Sequence, residues 1–237
     1  MPLDADIAAN LDDLRRRLRA AASRTGRAES AVRLIAVSKT FGPEHVRAAM
    51  AAGQREFGEN RVQEGLDKIA AVAGADLVWH LIGHLQTNKA KKAAAAFAWI
   101  HSIDSVELVR KVDAGAADAG TTPQVLVQVD LAQETTKFGA GRAAVREIVQ
   151  AALEARAVQL RGLMIVPPIP EVAEASRPWF RQLRELRDGL VADGVPAGHL
   201  GELSMGMSQD FDVAIEEGAT MVRVGTSIFG RRPPAGA

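Results

Sequence analysis

The chain has 237 residues, 47% of them hydrophobic, so a large core can form. Its 29 basic and 29 acidic side chains balance to zero, which argues against a general polyanion binder held by charge neutralisation. Cysteine is absent, excluding disulfides, thiol catalysis and cysteine-ligated metals, and tyrosine is absent as well.

The opening stretch "MPLDADIAANLDDLRRRL" is charged where a signal peptide would be apolar, and no later run approaches the span of a bilayer. A soluble cytoplasmic protein with neither membrane nor nucleic-acid partners is expected. Ile7, Leu11, Leu14 and Leu18 recur at three- and four-residue spacing, predicting an amphipathic helix with an arginine-rich outer face. Short apolar runs then alternate with helical stretches. The runs are Leu34 to Ser38, Glu56 to Gly58, Val78 to Ile82, Trp99 to Ile103, Val125 to Val129, Leu160 to Val166, Leu203 to Met205 and Met221 to Val224. Gly42-Pro43 places proline at a first helical position, and Asp104 with Glu107 predicts a capping-box variant. "AKKAAAAFA" reads as a good helix former with a basic patch. Strand then helix, repeated, means parallel strands joined by crossovers. The expected fold is a single (β/α)8 TIM barrel with an extra N-terminal helix, one domain over residues 1–237.

A parallel barrel carries its site at the C-terminal ends of its strands, so the residues closing each run are the ones to inspect. They are polar: Lys39, Glu59 and Asn60, His84, His101 and Asp104, Asp130, Ser204 and Arg223. Lys39 admits two readings, a solvated cap on a buried strand or a partly desolvated amine able to condense with a carbonyl. The loops after the last two strands, "LSMGMS" and "VGTSIFG", offer close backbone approach and the hydroxyls of Ser204 and Thr226, with a short helix expected from Ser227. Such parts suit a phosphate. His80 and His84 stand four apart, but His80 lies in a strand and Gly83 interrupts the stretch, so no metal site is read there. His101 is read as a packed or pocket-lining residue, Asp104 as a helix cap, and "NKAKK" as a solvated helix face. Met164, Met205 and Met207 are read as adaptable packing beneath a ligand.

The stretches "AVSKT", "FGENRVQE", "WHLIGHLQTNK", "HSIDS", "GLMIVPP", "LSMGMSQDFDVAIEEGAT" and "VRVGTSIFG" run in order over nearly the whole chain. With them the sequence resembles the pyridoxal phosphate homeostasis protein family, single-domain barrels similar to the N-terminal domain of alanine racemase. The resemblance implies pyridoxal 5′-phosphate as cofactor and Lys39 as the residue forming the internal aldimine. It implies that Ser204, Gly225 and Thr226 bind the phosphate, that Arg223 approaches the pyridine nitrogen, and that Asn60 lines the pocket. "DLAQETTKFG" fits the family less closely, and Asp130 and Lys137 are given no role.

The function this implies is a non-enzymatic holder of the cofactor, a monomer or weak dimer that passes it to apo-enzymes. An amino-acid racemase or decarboxylase using the same lysine is the alternative, and a sugar-phosphate isomerase a third reading. Racemisation needs a base on each face of the substrate. In the alanine racemase family one of them is a tyrosine, which this chain lacks; a histidine such as His84 or His101 could replace it, which keeps the enzyme alternative open.

Overall fold

The structure, a computed structural model, describes residues 3–74, 76–132 and 138–230. After helix α1 (Leu3–Arg24) the strands are β1 (Arg33–Val37), β2 (Glu56–Glu59), β3 (Val78–Leu81), β4 (Trp99–Ile103), β5 (Gln124–Asp130), a two-residue β6 (Ala140–Gly141), β7 (Gln159–Ile165), β8 (Glu202–Ser204) and β9 (Met221–Val224). Between and after them come α2 (Pro43–Ala51), α3 (Val62–Ala71), α4 (Ala90–Ala96), α5 (Val106–Ala119), α6 (Arg142–Glu154), α7 (Arg177–Ala192), α8 (Phe211–Glu216) and α9 (Thr226–Phe229). Each of the eight expected strands is present, with ends displaced by at most one residue.

The pairings are all parallel, and β4–β5 together with β1–β9 closes the ring into a (β/α)8 barrel; β6 pairs only with β5. Closure follows from strand alternation: one face of each strand packs on the helices and the other fills the interior. On β9 Val222 and Val224 belong to the large helix-facing core, whereas Met221 packs inside with Ile35, Trp99, Leu126 and Met164. The same alternation carries polar residues inward, so His80, His101, Ser204 and Arg223 are buried.

Helix α1 buries the four apolar residues its spacing predicted and lies against α2, α8 and α9. Its arginines are ties as well as a polar face: Arg15 donates to the Ala52 carbonyl at 2.9 Å, Arg17 pairs with Asp212 and Arg24 with Glu216. Helix α2 starts as expected, with Gly42 before Pro43. The cap of α5 corrects the expectation for Asp104. Ser105 is the N-cap, its hydroxyl accepting from the Leu108 amide at 3.2 Å, because the extended backbone of Ser105 aims Oγ at the first turn. Among the described residues no helix is long and apolar enough to cross a membrane.

Candidate functional site

Strands β2, β1 and β9 are neighbours, and their C-terminal ends release Asn60, Lys39 and Gly225-Thr226 onto one rim. These four residues and Arg223 line a cavity of about 400 Å³ at the mouth of the barrel, a size typical of small-molecule sites. Its wall continues through Met207, Ser208 and Asp210 on the loop after β8, and through Ile169 and Pro170. Two glycines permit this crowding. A side chain at Gly225 would bring Cβ to 3.1 Å from the Val37 carbonyl, and one at Gly83 would bring it to 2.2 Å from the Asn60 carbonyl. The β9 and β3 ends can therefore press against the loops that carry Lys39 and Asn60.

The turn bearing Lys39 is clamped from outside the barrel. Thr40 has φ of 70°, a left-handed conformation that a β-branched residue adopts only when its surroundings impose it. The Thr40 amide donates to Glu64 Oε1 at 2.5 Å, and the Phe41 amide closes the turn on the Ser38 carbonyl at 3.1 Å. Lys68 is buried behind this turn: its Nζ donates to the Ser38 carbonyl at 2.6 Å, to Glu59 Oε1 at 2.7 Å and to Glu64 Oε1 at 2.8 Å. Ser38 Oγ adds a 2.6 Å bond to the same Glu59 oxygen. Burial pushes the Glu59 carboxyl above its ordinary value against the pull of Lys68 and Ser38, and Oε2 of Glu59 is buried without a hydrogen-bond partner among the described residues.

Arg223 forms the floor. It is 4% exposed, with Nη1 donating to Ser204 Oγ at 2.5 Å and Nη2 to the Ile165 carbonyl at 2.8 Å. Burial pushes its guanidinium down to about 10, with the Asp210 carboxylate opposing from a distance. Asp210 is itself occupied, accepting from Ser176 Oγ at 2.7 Å and from the Met207 amide at 2.7 Å, which orders the loop after β8.

Of the six residues expected at the site, Lys39, Asn60, Arg223, Gly225 and Thr226 line one cavity. Ser204 is placed differently. It is fully buried beneath Arg223, its hydroxyl held between that guanidinium and His101 Nδ1 at 2.9 Å, and it is not among the cavity-lining residues. Ser208, four residues on in the same motif, is the serine that lines the cavity. His80 and His101 are both buried in the barrel, 3.0 Å apart at the nearest ring nitrogens. His84 stands elsewhere, stacked on Phe138 at 3.7 Å and 3.5 Å from Asp104. Neither His84 nor His101, the two candidates for a missing base, lines the cavity. The "NKAKK" lysines are exposed, with Lys91 bonded to Asp118. Lys137 lies outside the described residues.

Sequence reasoning passed over the clamp around Lys39. Glu64 and Lys68 stand at i, i+4 on α3, the spacing of an ordinary exposed ion pair, and nothing in that spacing announces a buried lysine. The second serine was visible: Ser204 belongs to β8, where strand parity turns it into the barrel, whereas Ser208 follows the strand.

Comparison with known proteins agrees with this fold. The family model for the alanine racemase N-terminal domain matches residues 9–233. The pyridoxal phosphate homeostasis protein of Aquifex aeolicus (strain VF5) is 44% identical over 216 residues, covering 91% of this chain and 94% of that protein. The protein of the same name from Escherichia coli (strain K12) is 40% identical over 230 residues, with 96% and 97% covered. The solved structure of PipY from Synechococcus elongatus PCC7942 with PLP bound superposes with a TM-score of 0.83 at 41% identity, over 94% of this chain and 100% of that one. An alanine racemase from Clostridium difficile, 17% identical with a TM-score of 0.73, covers 98% of this chain and 58% of its own, and shows the shared barrel alone. A barrel of the alanine racemase N-terminal type with a lysine and an arginine at its mouth is thus the class of protein. Within that class the chain belongs to the pyridoxal phosphate homeostasis protein family.

Proposed function

We propose that this chain binds pyridoxal 5′-phosphate in the mouth cavity and serves in the cytoplasm as a holder of that cofactor, releasing it to apo-enzymes without turning over a substrate. The observation that carries the reading is the lining of one cavity by an amine, a buried guanidinium and a Gly-Thr corner, on a chain whose relatives are named for pyridoxal phosphate homeostasis. The residues suit the group. Arg223 presents a donor-only group at the floor, where a pyridine nitrogen would accept and stay unprotonated. Gly225, Thr226 and Ser208 supply backbone approach and hydroxyls for a phosphate, and Lys39 supplies a primary amine held by a clamped turn. When bound, the cofactor contributes an aldehyde that condenses with primary amines.

The non-catalytic reading draws support from the surroundings of that site. No tyrosine exists in the chain, and neither His84 nor His101 is among the residues lining the cavity. An arginine facing the ring nitrogen also makes the ring a poorer electron sink than a carboxylate would. The test is borohydride reduction of the loaded protein followed by peptide mapping. Label is expected on Lys39; Lys39→Ala is expected to leave only weak, dialysable binding. Label on Lys89 or Lys91, or rapid Lys39-dependent inversion of alanine measured by chiral chromatography, would overturn the proposal.

A further inference from the structure

The polar residues inside the barrel form one connected chain. Arg223 Nη1 meets Ser204 Oγ at 2.5 Å, Ser204 Oγ meets His101 Nδ1 at 2.9 Å, His101 Nε2 meets His80 Nδ1 at 3.0 Å, and His80 Nε2 meets Glu56 Oε2 at 2.9 Å. Glu56 opens β2 and its side chain is 25% exposed, whereas the three links between it and Arg223 are completely buried. Trp99 stacks on His80 at 5.8 Å, and Arg33, which pairs with Glu202, lies over the same indole.

Hydrogen-bond capacity fixes the direction of this chain. A guanidinium only donates, so Ser204 Oγ accepts from it. A carboxylate only accepts, so His80 Nε2 must carry the hydrogen that reaches Glu56. His80 Nδ1 is then an acceptor, His101 must carry its hydrogen on Nε2, and His101 Nδ1 accepts from the Ser204 hydroxyl. The reverse order would set a bare His80 nitrogen against the Glu56 carboxylate, lone pair against lone pair. Burial lowers the affinity of both rings for a second proton, His101 further than His80, consistent with two neutral imidazoles.

We propose that Ser204, His101, His80 and Glu56 are positioning residues, a one-way hydrogen-bond relay that runs through the barrel and holds Arg223 as a fixed donor at the cavity floor. Its importance for pyridoxal phosphate rests on the function proposed above; the relay itself does not. It gives Ser204 a definite task without contact with a phosphate, and it makes an amino-terminal residue of β2 a determinant of a site at the opposite end of the strands. A connected buried network of this kind transmits a change at one end to the other, because each link's donor assignment constrains the next.

Nitrogen NMR of the imidazoles in cofactor-free protein tests the relay directly. Both His80 and His101 are expected neutral with the hydrogen on Nε2. Glu56→Gln keeps an acceptor and should leave that pattern unchanged. Glu56→Lys presents only donors, so His80 and, one link further, His101 should both move their hydrogen to Nδ1. With pyridoxal phosphate loaded, Ser204→Ala should release it roughly fivefold faster, the worth of one net hydrogen bond to Arg223, while Glu56→Gln releases it at the wild-type rate. A His101 that keeps its Nε2 hydrogen in a folded Glu56→Lys variant overturns the relay. If that variant does not fold, Ser204→Ala decides: with Glu56 still in place the relay keeps both hydrogens on Nε2 and shifts the His101 Nδ1 signal through the loss of its donor, and a His101 hydrogen found on Nδ1 overturns it. The tautomers are read without cofactor, so a wild-type protein that takes up no pyridoxal phosphate sinks the functional proposal and leaves the relay standing or falling on its own result.

Discussion

Two cations are buried to the same extent in this molecule, each 4% exposed, yet they are treated in opposite ways. Lys68, on the helix side of β1 and β2, is held by two carboxylates and a carbonyl. Arg223, inside the barrel, is held by a neutral hydroxyl and a carbonyl and makes no ion pair among the described residues. Lys68 has its charge answered by the protein and acts as a structural pin. Arg223 has a carboxylate, Asp210, only at longer range and faces a cavity, where its donors stay available.

The largest effect expected from this contrast is a crossing of stability and affinity. Lys68→Met strands two carboxylates, one of them buried, and should lower the stability of the cofactor-free protein by about 3–5 kcal/mol in denaturant unfolding. Arg223→Leu removes a poorly compensated charge and should cost on the order of 1 kcal/mol in the same measurement, because the burial penalty it relieves offsets the bonds it loses. For pyridoxal phosphate binding the order reverses, Arg223→Leu losing about 1.5–3 kcal/mol in a titration by absorbance. Equal stability losses would erase the distinction between the two cations.

A second measurement sharpens the placement of the hydroxyls around Arg223. Thr226→Val should weaken pyridoxal phosphate by about 1.5–3 kcal/mol more than it weakens unphosphorylated pyridoxal, since it deletes a donor at the phosphate end. Ser204→Ala should weaken both ligands alike, because its hydroxyl acts through Arg223. A phosphate-selective loss in Ser204→Ala would place that serine at the phosphate after all.

The smallest effect is a pH dependence on the Lys68 side. Partial burial pushes Glu64 upward, but Lys68 and the Thr40 amide outweigh it and the carboxyl ends below its ordinary value. A carboxyl depressed in the fold binds protons more tightly when unfolded. Its contribution is therefore complete above the ordinary carboxylate value of 4.5 and fades as pH falls through the lower folded value. Glu64→Gln should accordingly flatten the acid limb of a stability-against-pH curve below that point, and an unchanged limb would show that Glu64 is not coupled to the clamp.

The barrel was legible because its signals are periodic and local: eight apolar runs bounded by turn residues, and a first helix whose buried face repeats every three or four positions. Lys39, Asn60, Gly225 and Thr226 were legible as the residues after strands, where a parallel barrel gathers its site. What stayed hidden depends on depth and on pairing across the ring. Glu64 and Lys68 look the same in sequence whether exposed or buried, and His80, His101 and Ser204 converge only because strands β3, β4 and β8 close into one cylinder. Asp104 was misread because two capping residues stand side by side, and only the backbone angles of Ser105 choose between them.

The seam between β1 and β9 has a consequence in polymer terms. It joins strands from opposite ends of the chain, a contact of very high sequence separation whose closure carries the loop entropy of nearly the whole chain. Helix α1 laces over that seam, touching α2 on one side and α8 and α9 on the other, with Asn10 reaching the Ile228 carbonyl at 2.9 Å. The two ends proposed to hold pyridoxal phosphate, Lys39 and the Gly225-Thr226 corner, stand directly on either side of it. Bound there, the cofactor would act as a cross-link across nearly the whole chain, so its departure and the first opening of the barrel become steps on one kinetic path.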